Sequence, residues 1–315
     1  MPPRRLTALV LAGTLTAALL ATAGTATALP PTTAAPEQSG TRSTTDLVTL
    51  VTGDVVRLDT QADGTQQATA VAGAPGGTYS YVRDGDVYVE PASAQELLAA
   101  GKLDPRLFDV SALVRQGYGD ADRTTLPLIV TYRTGAAVSP KAAPAGVQVR
   151  AALAGVRALA VTQPKQAGTT FLAEIERRAD VAKVWLDART RAVPTDRTTD
   201  TAAATPKPQG SYDGTGSTIA ILDTGIDASH PDFAGRIDQA RDFTGANDPT
   251  DRLGSGTHTA SVAAGSGAAS NGQYVGAAPG AHLAAGKVFD DTGIGYESWA
   301  IAGLQWAAAS GADVV

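Results

Sequence analysis

The 315-residue chain contains no cysteine, which excludes a disulfide scaffold, a thiolate nucleophile, an iron–sulfur cluster and any cysteine-ligated zinc site. Histidine is almost as scarce. His230, His258 and His282 are the three present, with no His-Glu-x-x-His spacing, so a histidine-rich metal centre is not expected. No basic run exceeds two residues, as at Arg4-Arg5, and 25 basic against 31 acidic residues give a formal charge of −6. A nucleic-acid surface needs clustered Lys and Arg to displace counterions, so no nucleic-acid partner is expected. No Gly-x-Ser-x-Gly elbow occurs, which argues against an α/β-hydrolase. What the chain does have is 43% apolar residues and 34 Gly over a length sufficient for about two ordinary domains.

Residues 1–28 carry Arg4-Arg5, then the apolar stretch from Leu6 to Leu20, then small residues at Ala26-Thr27-Ala28. That order is a secretory signal peptide, and it predicts a secreted, extracellular protein with no membrane contact once the signal is removed. A membrane anchor is the competing reading, but the stretch is short, interrupted by Thr and Gly, and followed by Pro30-Pro31. Twin-arginine export fits less well than general secretion, because Leu6-Thr7 stands where a bulky apolar pair would strengthen that signal.

Residues 29–45 are a linker of Pro, Thr, Ala, Ser and Gly, too poor in large apolar groups to offset the entropy of ordering. From Asp46 onward, alternating stretches at 47–51, 54–58 and 86–90, separated by Asp63-Gly64 and Asp84-Gly85, read as strands and hairpins, without fixing the fold of 46–120. Leu126–Tyr132 reads as a strand. Gly168–Arg178 reads as a helix with Phe171, Leu172 and Ile175 on one face, and Val181–Asp187 as a further strand, so 126–192 is expected to form a small α+β module. Residues 194–211 have neither period nor apolar content and mark the clearest boundary, a place for proteolytic maturation or a passive spacer.

The chemistry lies beyond it. Ser217–Leu222 is a nearly continuous apolar run of the length of a buried parallel strand, and it ends at Asp223-Thr224-Gly225. Ligand sites in open α/β sheets form at the carboxyl ends of strands, and a carboxylate there needs a donor, so Asp223 is a site candidate. Its other reading is a carboxylate that ties down the turn through the Thr224 and Gly225 amides. His258 falls in Gly254–Gly265, in the first turn of a helix of small residues with an open approach to its ring. The alternation continues with a strand over 281–289, a helix over 296–310 carrying Trp299, Gly303 and Trp306, a Gly311 cap, and Asp313–Val315 opening another strand. A parallel sheet whose last strand is three residues long reads as the front part of a larger domain.

These residues resemble the subtilisin-like serine proteases, the subtilases. Ile219–Phe233 is similar to the family's aspartate motif, Gly256-Thr-His-Thr-Ala260 to its histidine motif, and Tyr274–Ala281 and Gly311–Val315 to two later signatures. More weakly, 126–192 is similar to the propeptides of secreted subtilases, which assist folding and inhibit their own enzyme. The resemblance implies an α/β fold, the front half of a parallel-sheet catalytic domain at 212–315, preceded by a propeptide region at 46–193 and a linker with the maturation site at 194–211. It implies a secreted serine endopeptidase acting on proteins or peptides, with Asp223 as the triad aspartate and His258 as the triad histidine. Asp223 would hold His258 through Nδ1–H so that Nε2 takes the hydroxyl proton.

Two departures stand out. The family carries a second histidine ahead of its Gly-Thr-His, where this chain has Ser255, and no Gly-Thr-Ser nucleophile motif occurs. Ser261 reads as a small packing residue. The oxyanion asparagine and the strand that binds substrate are expected beyond Val315. Removing the serine from an assembled triad of this family costs about 10⁶-fold in turnover, so the 315 residues alone are expected to be inert. The alternative function is a non-catalytic propeptide-type chaperone or inhibitor of a related protease. No cofactor is required; calcium is allowed, because Asp232 matches a position that ligates it in some relatives, with Asn271 as one further oxygen. His230 reads as a structural cap before Pro231.

Overall fold

The computed structural model describes residues 43–73, 75–192 and 212–315; the signal peptide, most of the first linker and the expected maturation segment lie outside the described residues. Strands β1 (Thr44–Thr49), β2 (Val55–Thr60) and β3 (Gln66–Ala72) form an antiparallel meander, and β4 (Thr78–Arg83) and β5 (Asp86–Pro91) a hairpin. The predicted turn dipeptides Asp63-Gly64 and Asp84-Gly85 sit between β2 and β3 and between β4 and β5. Two short helices follow, α1 (Gln95–Ala99) and α2 (Val110–Arg115), the latter started by the Asp109 carboxylate accepting from the Ala112 amide.

The next strands are β6 (Thr125–Tyr132), β7 (Gln148–Leu153), β8 (Ala158–Pro164) and β9 (Val181–Leu186), with α3 (Gly168–Arg177) between β8 and β9. They make an antiparallel sheet in the order β7-β8-β6-β9, one strand pair richer than the strand, helix and strand expected from sequence. Phe171, Leu172 and Ile175 are buried on the predicted face of α3, against this sheet. Residues 43–120 do not fold apart from it. Val48, Leu58, Val89, Phe108 and Tyr118 share one core with Leu128, Val161, Phe171 and Val184, and Gln163 donates from β8 to the Val51 carbonyl at 2.9 Å.

After a three-residue strand, β10 (Arg189–Arg191), come β11 (Thr218–Asp223), β12 (Ile237–Asp242), α4 (Ser255–Ala264), β13 (His282–Lys287), β14 (Ile294–Tyr296) and α5 (Glu297–Ala309). Strands β11, β13 and β12 pair in parallel in the order β11-β13-β12, and Val314 extends the sheet by bridging Ile219 in parallel on the other edge of β11. Helix α4 packs Ala260 and Ala264 on Ile221 and Leu283, while Trp306 of α5 lies against the other side of the strands. The Gly311 cap has φ +83°, the left-handed conformation that ends a helix cheaply only at glycine. This is the α/β architecture expected for 212–315.

The two parts meet through α5 and β14. Ile129, Leu153, Ala158 and Ala160 on one face of the β6–β9 sheet pack against Ile301 and Ala302. The fully buried Asp187 carboxylate accepts from the Ser298 amide at 2.8 Å and the Ser298 hydroxyl at 2.6 Å, and is paired with Arg150. It caps α5 from a different part of the chain and complements the helix dipole. From there the backbone runs antiparallel to β14, with Arg189 opposite Tyr296 and Arg191 opposite Ile294. Removing one member of a buried charged pair is expected to cost about 3–5 kcal/mol. Asp187→Ala should therefore lower the urea midpoint by an amount of that order, and a change below about 1 kcal/mol would show that the cap is dispensable.

Candidate active site

Asp223 ends β11, and its parallel neighbour in register on β13 is Lys287. Lys287 is 1% exposed, and its ammonium donates to the Thr224 carbonyl at 3.0 Å, the Thr250 carbonyl at 2.7 Å and Asp291 Oδ1 at 2.6 Å. A buried ammonium is tolerable because all three of its protons are used. It binds the turn after Asp223 to the loop that leads into α4.

That loop is organised by Asp251, a buried carboxylate that accepts from Thr224 Oγ1, the Leu253, Gly254 and Thr257 amides, and Thr257 Oγ1, at 2.7–3.0 Å. Burial pushes its carboxyl up, but the bonds from Thr257, Gly254 and Thr224 outweigh burial and hold it below the ordinary aspartate value. The Thr224 hydroxyl in turn accepts from the Gly256 amide at 2.9 Å. Asp251 thereby fixes where α4 starts and which way it is turned.

The phase of α4 decides what Asp223 can touch. Its Oδ1 accepts from the Thr224 amide at 2.7 Å, the turn-tying bond allowed for in the sequence, and Thr259 Oγ1 lies 3.0 Å from its Oδ2. The same Thr259 oxygen is 3.1 Å from the Ser255 carbonyl, one turn earlier on that face. A Cβ on Gly256 would stand 3.2 Å from the Asp223 Cβ and 2.0 Å from the Gly225 carbonyl oxygen, so only glycine allows this approach. Residues 255, 256 and 259 thus face Asp223. At about 100° per residue, His258 stands about 60° from Ser255, about 100° from Thr259 and about 160° from Gly256, at the margin of that face rather than at its centre.

The structure gives no hydrogen bond between the two expected triad members. The His258 ring opens into a cleft of about 420 Å³ shared with Asp227, His230, Asp251, Leu253 and Ser261, and it makes no hydrogen bond to Asp223. Ser261 lines the same cleft. His230 caps its turn as expected, with Nδ1 3.4 Å from the Asp232 amide and the ring 5.4 Å from that of Phe233.

Asp232, the expected calcium ligand, is buried and accepts from the Ala269 amide at 2.8 Å, while its carbonyl takes the Arg236 guanidinium. Asn271 ends a short turn in the left-handed conformation at φ +53°. Among the described residues no group of three or more His, Asp or Glu is placed to hold a metal ion. Asp232 anchors the 265–269 loop through the Ala269 amide and the Ser266 amide.

Comparison with known proteins bears on this part of the chain. Residues 214–315 match the model of the subtilase family. This segment is similar to the subtilases over that stretch. A subtilisin of Bacillus sp. (strain TA39) is 47% identical over 88 residues, 26% of this chain and 21% of that protein. The serine protease AprX of Bacillus subtilis (strain 168) is 45% identical over 94 residues, 30% of this chain and 21% of that protein. Among solved structures, Sphericase is 38% identical, with a TM-score of 0.28 over 32% of this chain and 36% of that chain. The chain thus spans about a fifth of the length of these two curated relatives.

Sequence reasoning missed Asp187 ahead of the matched segment and, within it, Asp251, Thr259, Lys287 and the β14 edge. The strand expected to take a peptide was looked for beyond Val315, yet β14 already pairs with the extended Arg189–Arg191. Its signal was faint: Gly293-Ile294-Gly295 between two longer elements.

The folded value of Asp251 is depressed, so its contribution to stability is full above the unfolded value near 3.8 and is lost as pH falls through the folded value. Asp251→Asn is expected to cost about 1–3 kcal/mol at pH 7 and to flatten the acid limb of the stability profile. Parallel acid limbs for the two proteins would show that another group dominates.

Proposed function

We propose that the chain is built on the plan of a secreted subtilisin-class serine endopeptidase zymogen, with residues 43–192 as the propeptide and 212–315 as the front of the catalytic unit. The observation that carries this reading is the pairing of Arg189–Arg191 with the β14 edge, an extended segment laid along a strand of a protease-family unit as a peptide substrate would be. The Leu253 side chain supports the assignment. Both Ala192 and Leu253 approach Gly293, and Leu253 walls the cleft that holds His258, so the docked segment ends at Ala192 beside a wall of that cleft. Maturation would fall within 194–211, the substrate would be protein or peptide, and export would follow from residues 1–28. Among the described residues no helix is long and apolar enough to cross a membrane. The scheme calls for no cofactor, and Asp232 gives no reason to include calcium.

A second reading, a non-catalytic chaperone or inhibitor, is favoured by one specific observation: the Asp223 carboxylate is bonded to the Thr259 hydroxyl rather than to an imidazole. The family's second histidine stands where this chain has Ser255, and 255 lies on the side of α4 that meets Asp223. A serine hydroxyl there cannot accept a proton near neutral pH, and no Gly-Thr-Ser segment occurs in the 315 residues. Hydrolysis by these residues is therefore not expected, and His258 is not their proton acceptor.

The chain should not hydrolyse a peptide ester above background, with or without His258→Ala. NMR titration of the Ser255→His variant reads out which position of α4 faces Asp223. An imidazole introduced by Ser255→His should titrate above about 6.5, and Asp223→Asn should remove that elevation. Ester hydrolysis that disappears with His258→Ala would restore the Asp223–His258 pair.

A further inference from the structure

The family match begins at residue 214, and nothing in it accounts for residues 43–120. Their placement gives them a task. Three consecutive residues at the start of the docked segment are held from two sides. The Tyr118 hydroxyl donates to the Asp187 carbonyl at 3.1 Å, the Glu297 amide donates to the Ala188 carbonyl at 3.1 Å, and the Arg189 amide donates to Gln116 Oε1 at 2.9 Å. The Arg189 guanidinium returns to the Gln116 carbonyl at 2.7 Å, lying over Gly117, where a Cβ would stand 3.0 Å from it.

A strand paired on one edge presents a row of unpaired backbone groups on the other. Gln116 takes the outward amide of Arg189, so its carboxamide acts in place of a neighbouring strand. Further along, Arg106 of the same block pairs with Glu297 at 2.8 Å. Tyr296 is buried in the core to which Val48, Phe108 and Tyr118 belong, and the Arg123 guanidinium lies 6.0 Å from its ring centre.

We infer that residues 43–120 are a clamp: through Gln116 and Tyr118 they hold Asp187–Arg189 extended, and so keep β10 seated on the β14 edge. The docking unit is then the whole of 43–192, and Gln116 is a positioning residue for the seated segment. The inference rests on the zymogen reading only for its meaning, since the seating can be measured without any activity.

Hydrogen exchange on the full chain tests it. The Ala192 amide, bonded to the Gly293 carbonyl at 2.8 Å, and the Glu297 amide report the opening of the ribbon. Gln116→Ala should speed exchange at both by about tenfold, the effect of losing one hydrogen bond, while the β6–β8 and β11–β13 amides keep their rates. Gln116→Glu, which retains the acceptor oxygen, should restore the slow exchange. Trypsin should cut after Arg189 or Arg191 faster in Gln116→Ala than in the parent protein by a similar factor. Unchanged exchange and cutting in Gln116→Ala would overturn the clamp, as would a uniform acceleration across both sheets, which would make Gln116 merely structural.

Discussion

The arrangement depends on one carboxylate with no access to solvent. Asp187 closes β9, caps α5 through the amide and hydroxyl of Ser298, and is neutralised by Arg150. Once it is seated, the register beyond it is determined. Going from Asp187 to Ala192, each residue meets the partner one position earlier, from Ser298 back to Gly293, without a slip. Moving β10 by one residue would send its side chains to the opposite face and pull the buried charge off the helix end, and the second penalty is the larger. The cap thus converts a helix contact into a defined placement of an extended peptide.

A comparable economy governs the end of β11. Lys287 and Asp251 together hold the Asp223 turn, the Thr250 loop and the first turn of α4, so α4 has no freedom to rotate about its axis. The identity of the residue facing Asp223 is therefore a consequence of where α4 begins. Gly256 and Thr259 meet Asp223 directly, while His258, about 60° round from Ser255 at the margin of that face, lines the cleft with Asp227 and His230. The chemistry available to Asp223 is set by helix phase and not by nearness in sequence.

Much of the fold was legible. The apolar run before Asp223, the α3 face of Phe171, Leu172 and Ile175, and the strand at 126–132 carry strong local periodicity, and the structure has them within a residue or so of the expected bounds. The phase of α4 was not legible. Its buried residues are Ser255, Gly256, Ala260 and Ala264, too small to stand out as an apolar stripe, so the sequence offered His258 without saying which way it points. The joint fold of 43–120 with 126–192 and the Asp187–Ser298 cap were equally hidden. The cap joins residues 111 apart, and no local pattern encodes such a contact.

The shared core bears on how the two parts could separate. Tyr296 lies in the core built mainly by residues 48–186, and Trp299 packs at its edge with the two rings 4.7 Å apart, so lifting the 43–192 block away would expose both rings together with the β14 edge. Burying one large side chain is worth about 1.5–3 kcal/mol, so these two rings alone resist separation by an amount comparable to the polar cap. Cutting the chain after Ala192 removes none of these contacts. Severing the linker and releasing the block are therefore distinct steps, and the second must overcome the Asp187 cap, the ribbon and the buried rings at once, because they occupy neighbouring residues of the same two segments.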